Sequence, residues 1–302
     1  MPRRLLAIRN PAAGGSRSDR AQALLQRLRA AGHVVEERVT SGPGDAIRLA
    51  SSAGGGFEVV LAIGGDGTVN EVANGLLMAG HAAALAVAAF GTGNDVAQLL
   101  GTRQETTLLR VLETAAPRRV DTLEVRNSEG VRHALLFAGC GIATRLLQQT
   151  TPRVKRWFGG RGSYAIGFLR ALRTHRGIPM RVHSPAGDWE SHAGTVLVAA
   201  KAPHAGGGGL QLAPSARPDD GTLHGLFLGP AGRLAILGHF LRLSRGAHIG
   251  HPALRCFATP WIEVSTDPPM PLALDGELVG FTPARFDVRP RSLAVLATSA
   301  PC

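Results

Sequence analysis

Three times in the first third of the chain a short apolar run opens into a glycine-rich loop bearing Asn, Asp or Thr. Leu5–Arg9 leads into Asn10-Pro11-Ala12-Ala13-Gly14-Gly15-Ser16, and Val59–Ile63 into Gly64-Gly65-Asp66-Gly67-Thr68. Ala84–Ala89 leads into Phe90-Gly91-Thr92-Gly93-Asn94-Asp95. Apolar runs this short and unbroken suit parallel strands covered on both faces. Helical patterns fill the intervals: Arg20–Ala31, with Ala21, Leu24, Leu25 and Leu28 on one face and Gly32 as C-cap, then Asp45–Ala53, Val69–Met78 and a segment ending at Leu100. With Val34–Val39 as a further strand, the alternation predicts a doubly wound α/β sheet. Such a sheet sets its loops side by side at the carboxyl edge, where backbone N–H groups and helix N-termini attract anions. Glycine lets the backbone approach a phosphate closely. One such turn means little, but three after successive strands point to a nucleotide phosphate site.

The two widespread phosphate signatures, Gly-x4-Gly-Lys-Ser/Thr and Gly-x-Gly-x-x-Gly in a first βαβ unit, are absent from this sequence. Backbone amides, hydroxyls and arginine must therefore supply the grip. A carboxylate at Asp66 would repel bare phosphate but suits a Mg2+ ion chelated by the nucleotide; the plainer alternative is that Asp66 caps the helix that follows it.

From about Val120 the pattern turns to strands: Val120–Arg126, Arg132–Ala138, Met180–His183, Thr195–Ala199, Leu223–Leu228, Trp261–Ser265 and Leu272–Asp275, with helices at Tyr164–Thr174 and Ala231–Leu243. A chain of 302 residues is long for one domain, so the expectation is a nucleotide-binding domain over 1–122, with 287–302 as its candidate completion, and a β-rich domain over 123–286. Hydrophobic residues at 44% and charged residues at 18% exclude a disordered chain. No stretch reaches the ~18 uninterrupted apolar residues of a membrane span. Three widely spaced cysteines, Cys140, Cys256 and Cys302, argue for a reducing, cytoplasmic setting rather than a disulfide or zinc framework. Cys140, in an apolar run, reads as core, and His248 and His251 read as structural.

The formal charge is +11, and all the basic residues but Lys155 and Lys201 are arginine. Such a balance favours an anionic membrane, a phosphorylated substrate or nucleic acid. The last is not expected, because there is one tyrosine and no aromatic run for stacking bases. Arg153-Val154-Lys155-Arg156-Trp157-Phe158 and Arg233–Arg245 mix cations with apolar side chains in a way that suits an anionic interface.

Asn10–Gly14, Gly64-Gly65-Asp66-Gly67-Thr68-Val69-Asn70-Glu71-Val72 and Gly91-Thr92-Gly93-Asn94-Asp95-Val96-Ala97 together resemble the diacylglycerol kinase catalytic domain, whose family includes sphingosine and ceramide kinases. Gly-Gly-Asp-Gly-Thr alone is shared with NAD kinases and phosphofructokinases. The later motifs add to it in order: Arg119-Val120-Asp121, Pro214-Ser215-Ala216 with Asp219-Asp220-Gly221, and Leu274-Asp275-Gly276-Glu277. The set is most similar to the soluble bacterial lipid kinases.

The resemblance implies a doubly wound nucleotide-binding domain and a β-sandwich lipid-binding domain, with ATP and Mg2+ as cofactors and a lipid, by default diacylglycerol, as acceptor. It implies peripheral association with the inner face of the membrane and leaves the oligomeric state open, a dimer included. Carried over by residue, ATP would meet Asn10, Pro11, Ala12, Ala13, Gly14, Thr40, Gly64, Gly65, Asp66, Gly67, Thr68, Val69, Asn70, Thr92 and Asn94. Asp66 and Glu277 would be catalytic, Glu277 accepting the hydroxyl proton with a pKa raised by partial burial. Arg217, Asp220 and Thr222 match a magnesium site of bacterial members, Arg217 and Thr222 through backbone oxygens. The chain departs from the family where Phe137-Ala-Gly-Cys-Gly-Ile-Ala143 lacks the usual Asn and Asp, where Ala88-Ala89-Phe90 lacks a Pro, and where Val198-Ala-Ala-Lys201 lacks an Asn-Gly. Sphingoid bases, ceramide and phosphatidylglycerol are the alternative acceptors, and a nucleotide- or lipid-binding protein without catalysis is the alternative outside the enzymes.

Overall fold

The computed structural model describes residues 2–13, 18–149, 166–207 and 209–298. It divides into two compact units, Met1–Val120 with Arg291–Cys302, and Asp121–Pro290.

The first unit alternates strand and helix: β1 (Arg4–Arg9), α1 (Ser18–Ala30), β2 (Val34–Val39), α2 (Asp45–Ser51), β3 (Val59–Gly64), α3 (Asp66–Ala79), β4 (Ala84–Ala89), α4 (Asp95–Leu99) and α5 (Glu105–Thr114). The strands are parallel in the order β2-β1-β3-β4. All six residues of β3 are buried, as its unbroken apolar run requires. Leu24, Leu25 and Leu28 of α1 pack with Leu5, Leu61 and Ile63. The C-terminal segment completes this unit: Val295 pairs beside Leu85, and the Leu296 N–H donates to the Leu85 carbonyl at 2.9 Å. The helix predicted from Val69 begins at Asp66, because extended Gly65 forms its N-cap. Helix α5 was not predicted.

The second unit carries β5 (Arg118–Asn127, which begins at the boundary), β6 (Gly130–Ala134), β7 (Phe137–Gly141), α6 (Ile142–Gln149), α7 (166–174), β8 (Ile178–Ser184), β9 (Gly187–Gly194) and β10 (Val196–Ala200). There follow β11 (Leu223–Leu228), α8 (Arg233–Leu243), β12 (Leu254–Thr259), β13 (Trp261–Thr266), β14 (Pro271–Leu274), β15 (Glu277–Phe281) and β16 (Ala284–Val295, which ends in the first unit). One antiparallel sheet runs β12-β11-β10-β7-β14-β15. A second layer, with β16, β13, β8 and β9 in order, packs against it through Leu197, Phe227 and Leu272 on one side and Ile262, Val264 and Phe286 on the other. This is a β-sandwich. The two-residue alternation of a strand explains the outer layer: Leu197 and Ala199 face the sandwich core, while Val196, Val198 and Ala200 face helices α6, α7 and α8. Phe168 of α7 stacks on Phe240 of α8 with ring centroids 3.9 Å apart.

One predicted strand is wrong as drawn. Arg132–Ala138 is two strands, β6 and β7, broken at Leu135-Leu136. The backbone N–H groups there do not join a ladder; they donate to the carboxylate of Asp275, far along the chain. Cys140 lies fully buried in β7, and burial pushes its thiol up to about 12, so it is core and not a nucleophile. His248 is buried against the Leu212 carbonyl at 3.1 Å. Among the described residues no helix is long and apolar enough to cross a membrane.

Candidate active site

The loops after β1, β3 and β4 hold one another in place. Asn10 Nδ2 donates to Thr68 Oγ1 at 3.0 Å, and Asn10 Oδ1 accepts from the Ala12 N–H at 2.9 Å, which folds the first loop over the second. Gly64 has no room for a side chain: a Cβ there would lie 2.5 Å from the Thr68 side chain. The second and third loops meet at Gly65 and Gly91, where a Cβ on Gly91 would fall 2.5 Å from the Gly65 Cα. Asn94 sits in the left-handed region at φ 56° and closes the third loop on itself, accepting from the Gly91 N–H at 2.8 Å and donating to its carbonyl at 2.9 Å.

This arrangement leaves a helix end open. The N-cap of α3 is Gly65, and no side chain caps it. The leading N–H groups of a helix that long make a ready anion site. Asp66 is the first residue of α3, the helix that the plainer sequence reading had it cap. Its Oδ1 accepts from the Val96 N–H of α4 at 3.1 Å, so the carboxylate ties the start of one helix to the start of the next. The glycine cradle and the uncapped helix end fit a nucleotide phosphate, and Asp66 puts a carboxylate beside it of the kind a phosphate-bound Mg2+ takes.

Of the other residues expected here, Gly67 and Asn70 lie in the first turn of α3, half-buried, and Asn74 Nδ2 donates to the Asn70 carbonyl and side chain at 2.9 Å. Pro11, Ala12 and Thr92 are exposed, and Ala13 is half-buried. Thr40 is buried at the end of β2, its N–H donating to the Arg9 carbonyl at 2.9 Å. Val69 is turned away: it is in the core, and its N–H is spent on the Gly65 carbonyl at 3.0 Å. Gly14 falls outside the described residues. Glu71 was not singled out, yet its carboxylate accepts the N–H groups of Gly44 at 2.9 Å and Ala46 at 3.1 Å, so α3 also positions the start of α2.

In the second unit, Glu277 is the first residue of β15, opposite Leu274 across a two-residue turn. Asp275 and Gly276 form that turn with φ of 47° and 94°, the left-handed pair that an Asp-Gly hairpin requires. The Asp275 carboxylate, buried, accepts three backbone N–H groups: Leu135 at 2.7 Å, Leu136 at 2.9 Å and Phe137 at 3.0 Å. The turn that presents Glu277 is thus bolted to the β6–β7 corner. Glu277 itself is exposed, so the partial burial expected of it is not there.

Arg217, Asp220 and Thr222 do converge, but on an ammonium. Lys201 Nζ donates to the carbonyls of Arg217 and Thr222, each at 2.9 Å, and to Asp220 Oδ1. Asp121 Oδ2 completes the set at 2.8 Å. Burial alone would raise the Asp220 carboxyl. Hydrogen bonds from Lys201 and from the Arg217 and Thr222 N–H groups outweigh it and hold that carboxyl well below the usual range. The residues as folded therefore do not fit a metal ion, and the magnesium expectation for these three is corrected.

Comparison with known proteins agrees with both halves. Residues 4–125 match the diacylglycerol kinase catalytic domain, and residues 140–297 match the YegS C-terminal NAD kinase beta sandwich-like domain. A protein of Chromohalobacter salexigens named "Probable lipid kinase YegS-like" is 33% identical over 285 residues, covering 90% of this chain and 86% of that one. Its namesake from Pseudomonas aeruginosa is 31% identical, covering 96% and 93%. In fold, the chain resembles the crystal structure of a diacylglycerol kinase from Bacillus anthracis, with a TM-score of 0.75 at 19% identity over 99% of this chain and 98% of that one. An NAD kinase from Archaeoglobus fulgidus in complex with ATP shares the fold more distantly, with a TM-score of 0.53 at 12% identity over 98% of this chain and 94% of that one. With an open helix end ringed by glycines in one unit and a β-sandwich in the other, the chain belongs to the YegS-like lipid kinases of the diacylglycerol kinase family.

Proposed function

We propose that the chain transfers the γ-phosphoryl group of ATP, as its Mg2+ complex, to the hydroxyl of a membrane lipid, with diacylglycerol as the first candidate acceptor. The observation that carries the acceptor class is a cavity of about 90 Å³ in the second unit. Ile142, Leu146, Phe168, Val198, Leu226 and Ile236 are among its walls, and among the described residues Thr195 and His239 are its only polar lining residues. At roughly 30 Å³ per water, it takes the end of an acyl chain. A polar group would find few partners there.

In this reading the Gly64–Thr68 and Gly91–Asn94 loops and Asn10 hold the nucleotide phosphates, with Asp66 facing the chelated Mg2+. Glu277 takes the proton of the lipid hydroxyl as its oxygen bonds to phosphorus and ADP departs. Phosphoryl transfer asks little more than such positioning and charge neutralisation. Membrane access is supported by α8, where Leu234, 85% exposed, and Leu241, 45% exposed, sit beside Arg233 and Arg242. The other membrane candidate, Arg153–Phe158, lies outside the described residues.

Gly91→Ala tests the phosphate loops. Its Cβ forces the second and third loops apart, and displacements of this size are costly. The expected result is a KM for ATP raised about tenfold with the lipid KM unchanged; an unchanged ATP KM removes these loops from the nucleotide site.

The acceptor is tested with labelled ATP, Mg2+ and mixed micelles of diacylglycerol, sphingosine, ceramide and phosphatidylglycerol, with Asp66→Ala alongside. Label in diacylglycerol that depends on Asp66 is the expected outcome. The family departures at Phe137–Ala143 favour a second reading, another lipid acceptor, and label in one of the other three lipids would select it. ATP binding with no label in any lipid would favour a protein that binds without catalysing.

A further inference from the structure

We propose that Lys201 is a tethered cation that fills the position of a metal ion, so that the second unit of this kinase is built to work without a divalent cation of its own. Four oxygens surround its nitrogen: the carbonyls of Arg217 and Thr222, and one carboxylate oxygen each from Asp121 and Asp220. The side chain is 1% exposed, and so is that of Asp121.

Distance separates the two kinds of cation. Mg2+ draws oxygens to about 2.0–2.1 Å and Ca2+ to about 2.3–2.6 Å. The Arg217, Thr222 and Asp121 oxygens stand at 2.8–2.9 Å from nitrogen, the spacing of a charge-assisted N–H···O bond. An ammonium has three N–H donors and no acceptor, so this all-oxygen cage satisfies it.

The choice of residue carries the same message. In a chain whose basic residues are arginine but for two, lysine stands at this position. A guanidinium is a planar fork, whereas an ammonium is a compact point charge, and only the latter fits a cage closed on several sides. The surrounding hydrogen bonds hold the cage shut. Asp220 accepts from the N–H groups of Arg217 and Thr222 at 3.0 Å, and Asp121 Oδ2 accepts from the Gly221 N–H at 2.8 Å. Lys201 follows directly on β10, and its own N–H donates to the Leu136 carbonyl at 2.7 Å. The ammonium therefore links the ends of β5, β10 and the turn before β11, as a structural ion would.

The test uses the full chain freed of metal with EDTA and without nucleotide, titrated with Mn2+ as a paramagnetic stand-in for Mg2+, with Asp220→Asn in parallel. The wild type is expected to show no Mn2+ binding that depends on Asp220, and a Tm identical in EDTA and in millimolar Mg2+ or Ca2+. In Lys201→Ala the carboxylates lose their counter-charge; its Tm is expected to fall by several degrees in EDTA and to recover in part with Mn2+ or Ca2+. One equivalent of Mn2+ bound by the wild type and lost in Asp220→Asn would overturn the proposal, as would a Lys201→Ala protein as stable in EDTA as the wild type. Should Lys201→Ala fail to fold, the wild-type titration decides alone. Neither readout depends on catalysis, so an inactive protein would leave this test intact.

Discussion

Replacing Glu277 by Gln is expected to lower kcat by a factor of about 10²–10⁴, the usual worth of a positioned general base, with the Tm and the KM for ATP unchanged. The substitution keeps the shape of the side chain and removes its capacity to take a proton. Glu277 is exposed at the start of β15, outside the buried core. The loops proposed to hold the nucleotide belong to the other unit. A loss confined to kcat therefore separates the proton acceptor from a binding residue, because an interaction equally strong before and during the reaction would appear in KM instead. The measurement is steady-state transfer to the lipid selected above, with thermal melting of the same preparation. A kcat within about twofold of wild type would end the assignment. The carboxyl is exposed rather than buried. Its reactivity has to come from where the turn holds it.

That dependence on position explains which parts of the molecule were legible in the sequence. The first unit is written locally: each parallel strand is a short apolar run, each loop announces itself by glycine, and each contact that matters joins neighbouring loops. Asn10 to Thr68 and Gly65 to Gly91 follow from the sheet order once the strands are parallel. The second unit is written at long range. Arg132–Ala138 reads as one strand until Asp275 claims the N–H groups at its centre. Strand β9, GDWESHAG, pairs with β8 and keeps most of its side chains out of the core, so it carries little apolar signal. The Lys201 cage draws on oxygens from positions 121, 217, 220 and 222. Its one local sign was a lysine in an arginine-rich chain, where the family pattern has a different pair of residues. Family resemblance named three of the cage residues correctly as neighbours and supplied the wrong cation, because a motif transmits spacing and not occupancy.

Asp275→Ala should destabilise the second unit by about 3–5 kcal/mol. Each buried donor left without an acceptor costs roughly 1–3 kcal/mol, and the substitution strands two of them, at Leu135 and Leu136, with a third, partly buried, at Phe137. Leu135 and Leu136 are 5% and 2% exposed, so water cannot readily take the place of the carboxylate. The sum stays below three full penalties because the corner can relax. Alanine at a position with φ of 47° adds backbone strain that Asp tolerates better. For a unit of this size the loss corresponds to a fall in Tm of about 10 °C, read by calorimetry or by circular dichroism. Asp275→Asn keeps one acceptor oxygen and should fall between the two proteins. The comparison with Glu277→Gln gives the pair its force. Both changes are expected to lower turnover, one by removing the proposed base and the other by freeing the turn that presents it, yet only Asp275→Ala is expected to lower the Tm. If Asp275→Ala melted with the wild type, the β6–β7 corner would not depend on this carboxylate, and the bolt between the hairpin and the corner would have to be sought in side-chain packing alone.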